Sequence, residues 1–236
     1  MTPPAGWRLR SFESLPSTQT LLATLAEAGE PERLAILARR QTAGRGREGR
    51  SWEGPAGNLH LSLLLRPPGP ARLIPQYGLL AAVALHEAAA RPEARLKWPN
   101  DLLLGEAKAA GILAEAALAP DGAIAHLIIG FGANLAHAPV LPDRHTACLG
   151  AEPPEALAGR LLHALDRWLT RAAVEGFAPV REAWMRAGPE RGALLTIRQG
   201  ADAVSGRYEG LAEDGGLLLA TGGRVHRFVS GEVGGS

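Results

Sequence analysis

Two stretches of this chain carry residue types that can do chemistry on an anion. In Gln41-Thr42-Ala43-Gly44-Arg45-Gly46-Arg47-Glu48-Gly49-Arg50-Ser51-Trp52, three arginines are interleaved with three glycines. A guanidinium is a permanently charged fork of donors that matches phosphate and carboxylate oxygens. Glycine lets the backbone approach a ligand closely. Guanidiniums this near one another repel, which predicts a loop that is mobile alone and closes around an anion. An RG-rich RNA-binding segment or a merely basic surface loop would share this composition. Such segments are usually long and repetitive, whereas this one is short and lies between two strand candidates.

The second stretch is Leu96-Lys97-Trp98-Pro99-Asn100-Asp101, followed by Lys108-Ala109-Ala110-Gly111-Ile112-Leu113-Ala114-Glu115. Of the 25 basic residues only Lys97 and Lys108 are lysines. A base-composition bias explains the scarcity. Even so, a compact ammonium suits a moving phosphoryl oxygen, and Lys108 is the stronger candidate; Lys97 reads as a strand-end charge. Pro99 forces a corner by fixing φ and removing a donor, so Asn100 and Asp101 stand at a strand end, where polar side chains commonly face a ligand. Trp98 is assigned to core packing. A third run, Ile129-Gly130-Phe131-Gly132-Ala133-Asn134, lacks the third glycine of a dinucleotide fingerprint. Its glycines instead thin a strand so that a flat ligand or another backbone can lie against it.

The elements that must position these residues follow from periodicity. Ser17 caps a helix with apolar Leu21, Leu22, Leu25 and Ala28 that ends at Gly29. Leu34 to Ala38 is a buried strand. Leu59, Leu61, Leu63 and Leu65 alternate along a half-buried strand on which His60 is expected at the surface. Residues 73–90 form an apolar helix, and 96–115 read as strand, corner, strand, hairpin, strand. Residues 127–134 are another strand, 136–150 are irregular, and helices cover 155–175 and 180–186. After Gly188-Pro189 the texture changes to short strands (194–197, 203–211, 216–220, 225–229) joined by Gly/Asp turns, the pattern of a small barrel. The predicted boundary is near 187, giving domains 1–187 and 188–236.

The 236 residues suffice for a full core. A net charge of +1 excludes a broadly basic nucleic-acid binder. No apolar run approaches the roughly 20 residues that span a bilayer, and the first residues show no signal-peptide pattern. The single cysteine, Cys148, excludes an intrachain disulfide and a cysteine zinc cluster. A cytoplasmic location fits best.

Together, in this order over about residues 15 to 135, the pieces resemble one family, the biotin protein ligases. The arginine loop is similar to that family's biotin/adenylate loop, Lys97-Trp98-Pro99-Asn100-Asp101 to its strongest signature, and Lys108 to Leu113 with Glu115 to the segment that follows it. The 129–134 run is similar to its glycine strand, and Ser17-Thr18-Gln19 to its serine-threonine pair. The resemblance implies an α+β fold: a mixed β-sheet with helices packed on it, plus a small C-terminal SH3-like β-barrel. It implies formation of biotinyl-5'-AMP from biotin and ATP, then transfer to a lysine of a biotin carboxyl carrier protein or domain of a carboxylase such as acetyl-CoA carboxylase. It places Ser17, Thr18, Gln41, Gly44 and Gly111 at biotin. Arg45 and Lys108 stand at both carboxylate and phosphates, and Arg47, Arg50, Trp52, Asn100 and Asn134 at the adenylate. Asp101 either holds Mg2+ or meets the acceptor amine. A homodimer is compatible with it. Gln19, where asparagine is usual, and Glu48 depart from the pattern. Sixteen residues before Ser17 are too few for the DNA-binding domain some members carry, so no specific DNA binding is expected. The competing readings are a lipoate-protein ligase and a non-catalytic nucleotide- or RNA-binding module.

Overall fold

The apolar runs of the first 134 residues lie side by side in one sheet. In the computed structural model, which describes residues 2–142 and 144–234, the chain opens with β1 (Arg8–Phe12), α1 (Thr18–Glu27), β2 (Leu34–Ala38), β3 (Gln41–Arg45) and β4 (Ser51–Gly54). It continues through β5 (Leu59–Leu65), α2 (Ile74–Ala89), β6 (Ala94–Lys97), β7 (Asp101–Leu104), β8 (Ala107–Leu118) and β9 (Ile124–Ala133). Then come α3 (Pro154–Glu175) and α4 (Ala178–Ala187). Seven strands form a mixed sheet in the order β1-β2-β5-β9-β8-β7-β6, in which only β1 and β2 run parallel.

Both faces of this sheet are covered at its centre. Leu59, Leu61, Leu63 and Leu65 pack with α2 and α3, while Leu64 packs with Leu22, Leu34, Ile36 and Ile128 under α1. All seven residues of β5 are therefore buried, not half of them, and His60 is 1% exposed instead of at the surface. Alternation predicted one wet face; the tertiary cover of α1 and of the β3–β4 hairpin removes it. Two elements of this N-terminal part were not expected from the sequence. One is the edge strand β1, whose two arginines mask it. It follows Trp7, which is buried and whose Nε1 donates to Asp166 Oδ1 at 2.9 Å, beside an Arg33–Asp166 ion pair also at 2.9 Å. The other is the β3–β4 hairpin, read as irregular loop.

The C-terminal strands β10 (Leu194–Gln199), β11 (Asp202–Leu211), β12 (Leu217–Thr221), β13 (Arg224–Phe228) and β14 (Glu232–Gly234) form an antiparallel sheet ordered β13-β12-β11-β10-β14. This is a small sheet of the SH3-like kind. No ladder joins β13 to β14 among the described residues, so it is not a closed barrel. Its inner face, including Ile197, Tyr208 and Leu219, continues the apolar cluster of α2 and the large sheet.

Trp98 sits at the junction, as core packing predicted. It is 4% exposed, and its Nε1 donates to the Gly215 carbonyl at 3.1 Å. Trp98→Phe keeps most of the apolar bulk but leaves that carbonyl unpaired. The expected cost is about 1–3 kcal/mol, read as a lower denaturant midpoint; an unchanged midpoint would show that the bond contributes nothing.

Candidate functional site

The site begins at the N-terminus of α1. The Ser17 side chain accepts from the Thr20 N–H and ends the chain's extended approach as the helix cap. Thr18 N–H and Oγ1 both donate to Gln41 Oε1, at 2.8 and 3.0 Å, joining the helix start to β3. Thr18 Oγ1 also lies 2.8 Å from Ser62 Oγ, and Ser62 Oγ donates to Gln19 Oε1 at 3.1 Å. These side chains make a small polar socket on an otherwise apolar sheet.

The floor beside the socket is made by glycines of β8 and β9. A Cβ on Gly130 would fall 2.6 Å from Gln19 Oε1, and one on Gly132 would fall 2.5 Å from Trp52 Nε1. One on Gly111 would meet both the Lys108 ammonium and the Trp52 ring at 3.2 Å. What lies on the thinned strands is neither a ligand nor another backbone but the chain's own Trp52 indole. The Lys108 ammonium stands 5.6 Å from the centroid of that ring, within cation–π range.

Above the floor, β3 and β4 pair with Gly44 opposite Trp52 and Arg45 opposite Ser51. Gly44 is buried inside this hairpin against Gln41 and the Trp52 carbonyl, where a side chain would not fit. Its contribution is to let the hairpin close, and it does not line the cavity. The predicted repulsion among guanidiniums is not what the structure shows, because each has found an acceptor. Arg45 Nη2 donates to Glu115 Oε1 at 2.7 Å, Arg47 Nη1 to Asn100 Oδ1 at 3.1 Å, and Arg50 to Glu232 on β14. Burial raises the Glu232 pKa, but the Arg50 hydrogen bond and the charges of Arg50, Arg144 and Arg47 outweigh it and hold the carboxyl below its ordinary value.

The corner after Trp98 brings the second motif to the same place. Asp101 and Gly111 are register partners on β7 and β8, and Lys108 Nζ lies 2.6 Å from Asp101 Oδ1, with side chains only 16% and 14% exposed. Asn100 Nδ2 donates to the Ile112 carbonyl at 2.7 Å, which leaves its oxygen for Arg47. The Asn134 amide is drawn to the Lys108 and Ala147 carbonyls at 3.4 and 3.3 Å. Its NH2 group thereby braces the strand end.

These elements enclose a cavity of about 660 Å³. Every site residue anticipated from the sequence lines it, Gly44 excepted, and Lys97 does too. Among the described residues no cluster of three His, Cys, Asp or Glu is placed to hold a metal ion. Among the polar cavity-lining residues that sequence reasoning missed are Ser62, Glu232, Arg144 and His145. Ser62 alone had a signal, a hydroxyl inside a leucine run.

Residues 11–134 match the biotin/lipoate A/B protein ligase family. The chain belongs to this family. A biotin--[acetyl-CoA-carboxylase] ligase of Paracoccus denitrificans is 41% identical over 202 residues, 78% of this chain and 82% of that protein. A protein of the same name from Mycobacterium tuberculosis is 32% identical over 256 residues, 97% of this chain and 90% of that one. Among solved structures, a biotin protein ligase from Aquifex aeolicus in complex with biotin and ATP superposes with a TM-score of 0.78 at 28% identity, covering 96% of this chain and 97% of that one.

His60 lies beneath the exit of this family member's hairpin, its Nε2 3.1 Å from the Pro55 carbonyl and its Nδ1 buried without a partner. Burial lowers its pKa, and the Pro55 hydrogen bond offsets only part of that. The neutral ring is therefore favoured in the fold. Its stability contribution is complete above the ordinary imidazole value, about 6.5, and is lost as pH falls from there through the depressed folded value. His60→Gln should shrink the drop in Tm between about pH 7.5 and pH 5.5. An equal drop in both proteins would remove His60 as the source.

Proposed function

We infer that this protein is an ATP-dependent biotin protein ligase. It joins the biotin carboxylate to the α-phosphate of ATP, releasing pyrophosphate, and passes the biotinyl group to a carrier-domain lysine. The observation that carries the reading is one cavity lined by a polar socket, by apolar residues of β8 and β9 and by a cluster of cations. Biotin has the matching parts: a ureido head, a bicycle with an apolar chain, and a carboxylate. Lipoate has no polar head for the Thr18–Ser62–Gln41 socket, and an RNA-binding module would turn its cations outward.

The chemistry follows from where the charges stand. Attack of a carboxylate on a phosphoryl centre concentrates negative charge on oxygens, which preorganised cations stabilise. We assign Lys108 to the α-phosphate and carboxylate, with Arg45 and Arg47 flanking them and Arg50 bracing the hairpin through Glu232. We assign Thr18, Ser17, Gln41 and Ser62 to the ureido head, and Trp52 to stacking on adenine. Asn134 and Asn100 shape the nucleotide end through the carbonyls and the arginine they hold. Mg2+, as the partner of ATP, would neutralise the polyphosphate. Because Asp101 is paired with Lys108, we propose that it positions the lysine and later meets the acceptor amine, and that the phosphates hold the metal. Residues 1–187 would carry the activation chemistry, with 188–236 as a small domain supplying Glu232. The acceptor we propose is the carrier domain of a biotin-dependent carboxylase in the cytoplasm. The net charge of +1 supports no sequence-selective DNA binding.

Biotin-dependent ATP–pyrophosphate exchange tests the assignment: exchange with biotin and none with lipoate is expected, and the reverse would overturn it. Lys108→Ala should cut the single-turnover rate of adenylate formation by roughly 10²–10³ with a smaller effect on biotin binding. An unchanged rate would remove Lys108 from this role. Gly132→Ala pushes the indole off the floor and should raise the KM for ATP more than that for biotin; equal changes would argue against Trp52 at adenine.

A further inference from the structure

Gln19 is 4% exposed, and both ends of its amide are engaged. Oε1 accepts from Ser62 Oγ at 3.1 Å, while Nε2 donates to Glu115 Oε2 at 3.0 Å and to the Ile128 carbonyl at 3.3 Å. Glu115 gives its other oxygen to Arg45 at 2.7 Å. A hydrogen-bonded line therefore runs from the polar socket through Gln19 and Glu115 to the arginine hairpin. Gly130 leaves the room that this amide needs. The amide is oriented by its surroundings, since the Ile128 carbonyl and the Glu115 carboxylate can only accept.

The socket end of the line is short of protons. Thr18 and Ser62 have one hydroxyl proton each, but three contacts ask for one: Thr18 to Gln41 Oε1, Thr18 to Ser62, and Ser62 to Gln19. The Thr18 N–H already serves Gln41 Oε1 at 2.8 Å. All acceptors are satisfied when Thr18 donates to Ser62 and Ser62 donates to Gln19. The line is then directional, and its members polarise one another. A ligand oxygen in the socket competes for a hydroxyl proton and so acts on the amide that holds Glu115.

We propose that Gln19 and Glu115 are positioning residues that set the direction of the Arg45 guanidinium and couple it to occupancy of the polar socket. Neither needs to touch the reacting atoms. The proposal rests on the ligase reading of the same cavity. It explains why a buried amide, an unexpected residue at this position, reaches a carboxylate that is half in solvent: the longer side chain spans from Ser62 on β5 to Glu115 on β8.

A double-mutant cycle on the full chain tests it, read as single-turnover formation of biotinyl-adenylate. Gln19→Leu should slow that step on the order of tenfold by misplacing Arg45, with a smaller change in the dissociation constant of biotin. In an Arg45→Ala background the same substitution should change the rate less than twofold, since an effect that travels through Arg45 cannot survive its removal. Glu115→Gln should behave as Gln19→Leu does in both backgrounds, and it supplies the cycle if the buried Gln19→Leu variant does not fold. Equal rate losses with and without Arg45, or no loss in the single variants, would overturn the proposal while leaving the ligase reading intact. Failure of the unaltered protein to form adenylate from biotin would defeat that reading itself.

Discussion

Gathering cations in one cavity is costly unless each meets a counter-charge, and this constraint organises the structure. Lys108, Arg45 and Arg50 are each paired with a carboxylate from a surrounding strand, and Arg47 with the amide oxygen of Asn100 in the turn before β7. Asp101 comes from β7, Glu115 from β8 and Glu232 from the C-terminal sheet. The pairs stop the hairpin from repelling itself. They also tie it to the strands beneath and to the C-terminal sheet. An incoming anion therefore competes with internal carboxylates and does not enter a bare positive field. Affinity is lowered by that competition, and selectivity rises, because only a ligand that also fills the socket and the apolar strip gains enough to displace them.

The sheet serves this arrangement through its asymmetry. On the face toward α2 and α3 its side chains are leucines and other apolar residues that form the main core. On the other face the strands carry Ser62, Gly130, Gly132 and Gly111 just beyond the N-terminus of α1. Alternation places these two chemistries on opposite sides of the same strands. The site is thus built on the buried central strands of the large sheet, while the charged end is closed by a hairpin and by one edge of the small sheet.

Much of this was legible in the sequence, and the failures have a physical pattern. The helices and β5 announce themselves by period, β2, β7 and β12 by apolar runs, and the corner at Pro99 by backbone chemistry. The β3–β4 hairpin does not. Gly44-Arg45-Gly46-Arg47 has no hydrophobic alternation, and what holds the hairpin lies far off in sequence, at Glu115 and Glu232. His60 was misplaced for the same reason: an alternating strand cannot reveal that α1 and the hairpin cover its second face. β1 and the three-residue β14 are short edge strands, carrying two arginines and one glutamate, with too few apolar residues to mark them as strands. The candidate site residues were identifiable because glycine, arginine and the two lysines are unusual there. The line through Gln19 and Ser62 depends on side-chain geometry that no spacing encodes.

The scarcity of lysine has a consequence for a protein that makes an activated acyl group. An acyl-adenylate reacts with neutral amines, so a ligase surrounded by its own product risks modifying itself. Both lysines of this chain line the cavity, and the remaining basic side chains are arginines. Guanidiniums stay protonated and are poor nucleophiles. The outer surface therefore carries positive charge for solubility without offering an ε-amine, and adenylate that escapes finds its nearest acceptor lysine on another molecule.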